Sequence, residues 1–163
     1  MSPENGMQPM NPTPETPPAD LMELDTEFAL SEEAAEAEFE KWAAAWRIYT
    51  DTASMPTEDD ERSFLRNKFA LVMALREGYG RVEEDGKVFV LRLSKPLAER
   101  RELAFNIPTA SARRSWDKYK DSENVAKIFA YAAESVKINP RLLSTMSEID
   151  TKVVMALVTL FLA

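Results

Sequence analysis

Acidic side chains form the densest group of residues in this sequence that could do chemistry. The run from Glu58 to Glu61 is entirely acidic, and carboxylate oxygens are ligands that hard divalent cations prefer. Calcium-binding loops also contain a glycine and spaced oxygen ligands, and neither accompanies this run. Thr57 directly precedes it, as a helix cap would, and acidic residues in the first turn suit the helix dipole. The run therefore predicts a solvated helix start, and we expect no metal site.

The chain contains no cysteine and no histidine. Disulfides, thiolate zinc sites and cysteine nucleophiles are therefore excluded. The missing histidine removes the commonest general base and metal ligand, and with them catalysis of the Ser-His-Asp type. Any catalysis would depend on carboxylates, lysine or tyrosine, and the sequence shows no recognisable pairing of them. We predict a protein that is not an enzyme, with no catalytic residues and no cofactor.

The net charge of −8 is unevenly distributed along the chain. Residues 1–60 contain 15 acidic and 2 basic side chains, whereas residues 61–163 contain 13 acidic and 18 basic ones. This asymmetry favours contact between the two halves or with another copy of the chain. Arg100 and Arg101 could hold an acidic partner or simply keep a loop soluble. The basic residues do not form a stripe with stacking aromatic residues, so we expect no binding to nucleic acid.

Signals for export or for the membrane are not recognisable in the sequence. The first residues lack the basic and apolar regions of a secretory signal. The longest apolar run, Val153–Ala163, is interrupted by Thr159, and a membrane span needs about 20 residues. We expect a soluble, cytoplasmic protein with no membrane partner.

Length and composition indicate one domain with a tail. Residues 1–20 contain six of the ten prolines and few apolar side chains, so burial cannot offset the entropy of ordering them. We predict a disordered tail over 1–20 and a single α+β domain over 21–163. The domain divides into an acidic helical half (21–78), a β-meander (79–108) and C-terminal helices (109–163).

The centre of the domain has the pattern of a small antiparallel sheet. Asp85 and Gly86 lie between two strand-like runs, which is typical of a hairpin with a type I′ turn. The second strand is predicted to end at residues 94–96, and a charged loop at 98–101 leads to the third. Pro108 stops that third strand because it has no N–H to donate. Three apolar residues alternate along it and share one face: Leu103, Phe105 and Ile107.

A three-stranded meander needs helices over its apolar face, so we predict a mostly helical α+β fold with about five helices. Ser31 is the expected cap of the first helix. Its aromatic residues recur at helical spacing and form one face, which predicts either core packing or a partner groove: Phe39, Trp42, Trp46 and Tyr49. Thr57 starts the second helix, which is predicted to end at Gly78. Its apolar residues cover more than one stripe, so we expect it to be central.

The C-terminal helices are marked by proline and by capping residues. Thr109 or Ser111 can cap a helix that reaches Tyr119. A helix over 121–136 follows, with a clear apolar stripe: Val125, Ile128, Phe129, Ala132 and Val136. Asn139-Pro140 breaks the pattern, and Ser147 is placed to bond the N–H of Asp150 at the start of the last helix.

The last helix is apolar on nearly every side. Full burial of a terminal helix is hard to arrange in a chain this small, so we expect part of it to meet a partner or a second copy. The predicted partner-binding residues come from this helix and from the aromatic stripe: Val153, Val154, Leu157, Leu160, Phe161, Trp42 and Trp46.

Three segments in the second half of the chain resemble, in their order, the tail assembly chaperones of tailed bacteriophages. The first is Leu91-Arg-Leu-Ser-Lys-Pro-Leu97, a strand with a Ser/Lys-Pro step. The second is Glu102-Leu-Ala-Phe-Asn-Ile-Pro-Thr109, a strand leading into a Pro-Thr helix start. The third is Leu143-Ser-Thr-Met-Ser-Glu-Ile-Asp150, a cap ahead of the apolar run 156–162. The resemblance covers residues 82–163.

The resemblance implies a non-enzymatic protein that binds the tape measure protein and tail tube subunits in the host cytoplasm and is missing from the mature virion. An apolar helix face suits this role, because a tape measure exposes apolar helical stripes before the tube encloses them. Acidic residues would keep the complex soluble. The alternatives are a small structural head–tail or tail protein of the virion and, from the charge of residues 1–60, an acidic inhibitor that mimics DNA.

Overall fold

The computed structural model describes residues 27–163. Within them the chain forms six α-helices and one three-stranded antiparallel sheet, which confirms the predicted mostly helical α+β fold. The predicted disordered tail, residues 1–20, lies outside the described residues. The elements are, in chain order, α1 (Glu32–Ala45), α2 (Glu58–Glu77), β1 (Gly80–Glu83), β2 (Val88–Leu97), β3 (Arg100–Asn106), α3 (Ala110–Trp116), α4 (Asn124–Val136), α5 (Pro140–Leu143) and α6 (Glu148–Leu162).

The sheet is the predicted meander, with strand order β1-β2-β3 and antiparallel pairing throughout. Its register aligns Val82 with Phe89 and Phe89 with Phe105, so these side chains share one face. Phe89 and Phe105 are fully buried there. Helix α2 contacts β1, α6 contacts β2 and α4 contacts β3. Helices from both halves of the chain therefore meet on one small sheet.

The hairpin between β1 and β2 is confirmed, but the predicted type I′ turn at Asp85-Gly86 is wrong. The connection has four residues, 84–87, and the backbone is left-handed at Glu84 (φ 51°), Asp85 (φ 55°) and Gly86 (φ 94°). Contact with α1 explains the difference, since a Cβ on Gly86 would lie 2.5 Å from the carbonyl oxygen of Lys41. This tertiary contact draws the loop onto the helix and overrides the local preference.

The second strand is longer than predicted, because it continues through Pro96 to Leu97 with an irregular register after Arg92. Leu97 pairs with Arg100, so the expected loop at 98–101 is a tight turn at Ala98 and Glu99. The third strand ends at Asn106. Ile107, which was expected on the buried face with Leu103 and Phe105, follows the strand and is exposed.

The first two helices begin where the sequence predicts. The Ser31 Oγ accepts a hydrogen bond from the N–H of Ala34 (3.2 Å), and the Thr57 Oγ1 accepts one from Asp60 (3.1 Å). Helix α2 ends at Gly78, whose φ is 85°. Helix α1 ends at Ala45, before the predicted aromatic stripe is complete, and leaves Tyr49 exposed.

Helix α2 is central, since it contacts α1, β1 and α6. Two of its apolar residues, Leu65 and Phe69, are nevertheless exposed. Val125 is likewise exposed in the first turn of α4, although its spacing assigns it to the apolar stripe. Helix α3 ends at Trp116, short of the predicted Tyr119.

The start of α6 is fixed by a polar cluster in which the buried Asp150 contacts the part-buried Ser94 and Ser147. The Asp150 carboxylate accepts hydrogen bonds from the backbone N–H of Ser94 (3.1 and 3.0 Å) and from its Oγ (3.0 Å). Ser147 caps α6 by accepting from the N–H of Asp150 (3.2 Å), and its Oγ lies 2.6 Å from the Ser94 Oγ. Asp150 is 1% exposed. One side chain thus joins strand β2 to the first turn of α6.

We predict that Asp150→Ala lowers the free energy of unfolding by about 1–3 kcal/mol, because it leaves the part-buried N–H of Ser94 without an acceptor and the Ser94 hydroxyl with only Ser147 as its partner. Urea titration followed by circular dichroism measures the change. Glu148→Ala is the matched control in the same helical turn, because the Glu148 side chain is exposed. An equal, small loss in both variants would contradict a stabilising role for the cluster.

Candidate functional site

The structure places the predicted partner-binding residues in the hydrophobic core. Six of the seven are buried, and the seventh, Phe161, is partly buried between the rings of Trp46 and Tyr131 at centroid distances of 5.5 and 5.7 Å. The buried six are Val153, Val154, Leu157, Leu160, Trp42 and Trp46. The six buried residues therefore form no exposed surface in the folded chain, and the part of α6 that stays exposed lies elsewhere on the helix, at Ile149 among other residues. The expectation that part of α6 meets a partner stays a prediction.

Aromatic side chains join the end of α1 to the sheet and to Phe161 of α6. Trp42 is fully buried, with its ring centroid 5.1 Å from Trp46 and 5.8 Å from Phe89. The Nε1 of Trp46 donates a hydrogen bond to the carbonyl of Lys87 (3.2 Å), which ties the end of α1 to the hairpin. Tilted and edge-on rings at these distances are favourable arrangements. Phe39, Trp42 and Trp46 of the predicted aromatic stripe therefore belong to the core, the first of its two predicted roles, whereas Tyr49 is exposed.

One side of α6 remains open to solvent and forms the floor of a groove that we call the trench. Helix α2 supplies one wall and α4 the other, and the volume is about 790 Å³. The large apolar side chains that line it include Phe69 and Met73 from α2, Val125 and Phe129 from α4, and Ile149 and Met155 from α6.

The trench is lined mainly by apolar side chains that the fold leaves uncovered. Phe69 is 65% exposed, Val125 56% and Ile149 58%. A second cavity of about 320 Å³ continues along the seam between α2 and α6 and shares Asn67 and Thr159 with the trench. From Ile149 to the end of the chain, α6 extends about 21 Å. The open seam is therefore as long as about four turns of helix.

Few charged groups line the trench. They are Arg66 on α2 and the pair Lys152 and Glu148 on α6, whose charged atoms are 3.4 Å apart. Tyr79 closes one end, and burial, reinforced by the nearby Glu77 carboxylate, raises the pKa of its hydroxyl to about 12. The phenol is therefore neutral at physiological pH. The arrangement suits the binding of an apolar surface bordered by polar groups.

The other candidate groups take structural roles. Glu58 to Glu61 occupy the first turn of α2 as predicted, and Arg62 in the next turn approaches Glu58 at 3.5 Å and Asp59 at 3.7 Å. The Nη1 of Arg100 donates a hydrogen bond to the carbonyl of Val136 (2.8 Å). In the described range 27–163, no acidic cluster could hold a metal ion, and no helix is long and apolar enough to cross a membrane.

Sequence reasoning missed the trench because it placed Phe69 and Val125 on apolar stripes of packed helices and assigned no role to Ile149. Phe69 and Val125 lie at helical spacing with buried neighbours, and Ile149 lies four residues before an apolar run that Thr159 interrupts. Helical periodicity shows that a residue lies on an apolar stripe of the helix. It does not show which residues of a wide stripe are buried by neighbouring elements and which are left exposed. The excess width of the α2 stripe is the signal that could have indicated an open side.

Comparisons with protein-family models, with curated proteins and with solved structures find no match to this chain.

We predict that Leu157→Ala lowers the free energy of unfolding by about 2–5 kcal/mol, because a buried leucine is replaced by a cavity. Phe69→Ala should change it by about 0.5 kcal/mol or less, since Phe69 is largely exposed. Urea unfolding of the two variants measures both changes. A large loss for Phe69→Ala would show that the trench is covered in the folded protein, and a small loss for Leu157→Ala would show that α6 is not part of the core.

Proposed function

We propose that this protein is a tail assembly chaperone of a tailed bacteriophage, that it is not an enzyme, and that the trench binds apolar helical segments of the tape measure protein. Tail tube subunits are the second proposed partner. Two independent features support the proposal. The motif order in residues 82–163 resembles that family, and the described part of the chain has an uncovered apolar groove of helical dimensions.

The length of the trench suits a helix as its occupant. Four turns of helix are about 21 Å long, which matches the open seam along α6. An amphipathic helix binds such a groove through apolar residues at i, i+3, i+4 and i+7. The two walls would contact both sides of its apolar stripe.

The exposure of Phe69, Val125 and Ile149 is the observation that carries the proposal. These side chains belong to three different elements and border one groove. Contiguous exposed apolar surface on a soluble protein is typical of an interaction site. Met73 and Met155 also line the groove, and methionine side chains adapt to partners of different shape. A chaperone that covers successive stripes of a long helical protein needs such tolerance.

The acidic balance of the chain fits the same role. Masking an apolar stripe prevents aggregation only if the complex itself stays soluble, and a net charge of −8 favours this. We place the protein in the host cytoplasm during assembly and expect it to be missing from the mature virion. Its partner would leave the trench when tube subunits enclose the tape measure.

The test is coexpression of the full chain with the tape measure protein or the tail tube protein encoded in the same phage genome. We predict that the unaltered chain copurifies with the tape measure protein and that Phe69→Glu reduces the recovered complex by about tenfold or more, as expected for a central interface residue. Leu65→Glu should leave the complex intact. Leu65 is the matched control because it is exposed on the same helix but does not line the trench. Both variants add the same negative charge.

Failure of the unaltered chain to copurify with either partner would contradict the proposed function. Equal losses for Phe69→Glu and Leu65→Glu would show that the trench is not the binding surface.

A further inference from the structure

The charge around the trench is opposite in sign to the charge of the chain. Two cations line it, Arg66 and Lys152, and the only carboxylate among its described lining residues is Glu148. Glu148 approaches Lys152, but both side chains are largely exposed and their charged atoms are 3.4 Å apart. An exposed pair of this kind is weak and leaves both groups available to a ligand.

The positions of the two cations make them suitable for contact with a bound helix. Arg66 is exposed on the wall formed by α2 and makes no ion pair with another residue in the range 27–163. It lies one turn before Phe69, so its guanidinium borders the apolar wall. Lys152 lies one turn after Glu148 along the floor. The cations therefore border the apolar strip on two different elements.

The two side chains with which α4 lines the trench, Val125 and Phe129, carry no charge. The first turn of α4 contains no acidic residue, but its N-cap residue is Glu123, whose carboxylate accepts a hydrogen bond from the N–H of Lys120 (2.8 Å). Among the described lining residues, the charges of the trench therefore come from Arg66, Lys152 and Glu148.

We infer that the trench selects amphipathic helices whose apolar stripe is bordered by acidic side chains. The inference rests on the proposed function, because it specifies the chemistry of the helix that the trench binds. Acidic flanking residues would meet Arg66 and Lys152 within the distance over which charges act at physiological salt, about 8 Å. Basic flanking residues would meet the same cations and be repelled. Apolar contact supplies affinity, and the border charges supply selection.

Two synthetic peptides of about five turns test the inference, each with the same leucine and phenylalanine stripe. One has glutamate at every position beside the stripe, and the other has lysine at those positions. Binding to the full chain is measured by fluorescence anisotropy at low and at high salt. We expect the glutamate peptide to bind at least about fivefold more tightly at low salt, and the difference to shrink at high salt because the charges are screened.

Charge reversal in the protein separates a local effect from the effect of net charge. Arg66→Glu should abolish or reverse the preference for the glutamate peptide. Arg114→Glu is the matched control, since Arg114 is an exposed arginine on α3 that does not line the trench and its replacement changes net charge equally. This control should keep the preference.

The outcomes distinguish the inference from the proposed function. Any one of three outcomes would overturn the charge selection and leave the trench as a binding site. They are equal binding of both peptides, tighter binding of the lysine peptide, and equal effects of Arg66→Glu and Arg114→Glu. Binding of neither peptide would overturn both the selection and the trench as a site for helices.

Discussion

The hydrogen bonds between Asp150 and Ser94 set the orientation of α6 on strand β2. They bury a carboxylate at the start of α6 and aim it at β2, which fixes the rotation of the helix about its axis. Val153, Val154 and Leu157 follow Asp150 at helical spacing, so they lie on the same side of the helix and are buried with it. Ile149 and Met155 then necessarily face outward. A single polar contact thus decides which side of an almost wholly apolar helix becomes core.

That rotation connects the fold to the proposed function. The inward side of α6 completes the aromatic core built on α1 and the sheet, and the outward side becomes the floor between α2 and α4. A helix that is apolar all round can serve both purposes, since one side stabilises the chain and the other is available to a partner. The proposed binding surface is therefore backed by the buried side of α6.

Local signals in the sequence were sufficient for most of the fold. The caps at Ser31, Thr57 and Ser147 and the left-handed Gly78 depend on residues at most three positions apart, so they can be recognised without the structure. The site depends on distant pairs and could not be predicted in this way. Ser94 and Asp150 are 56 residues apart, and the contact of Gly86 with Lys41 that changed the hairpin turn joins separate elements. An all-apolar helix also contains no periodic signal for its rotation, which explains why the predicted partner surface proved to be core.

Amide hydrogen exchange on the full chain without a partner tests whether α6 is stably packed in the core. We predict that the amides of residues 153–160 exchange as slowly as those of residues 89–91 in the central strand, because both segments open only when the whole domain unfolds. Faster exchange in 153–160 than in 89–91 would contradict it, since α6 would then detach independently and its buried side would become a partner surface after all.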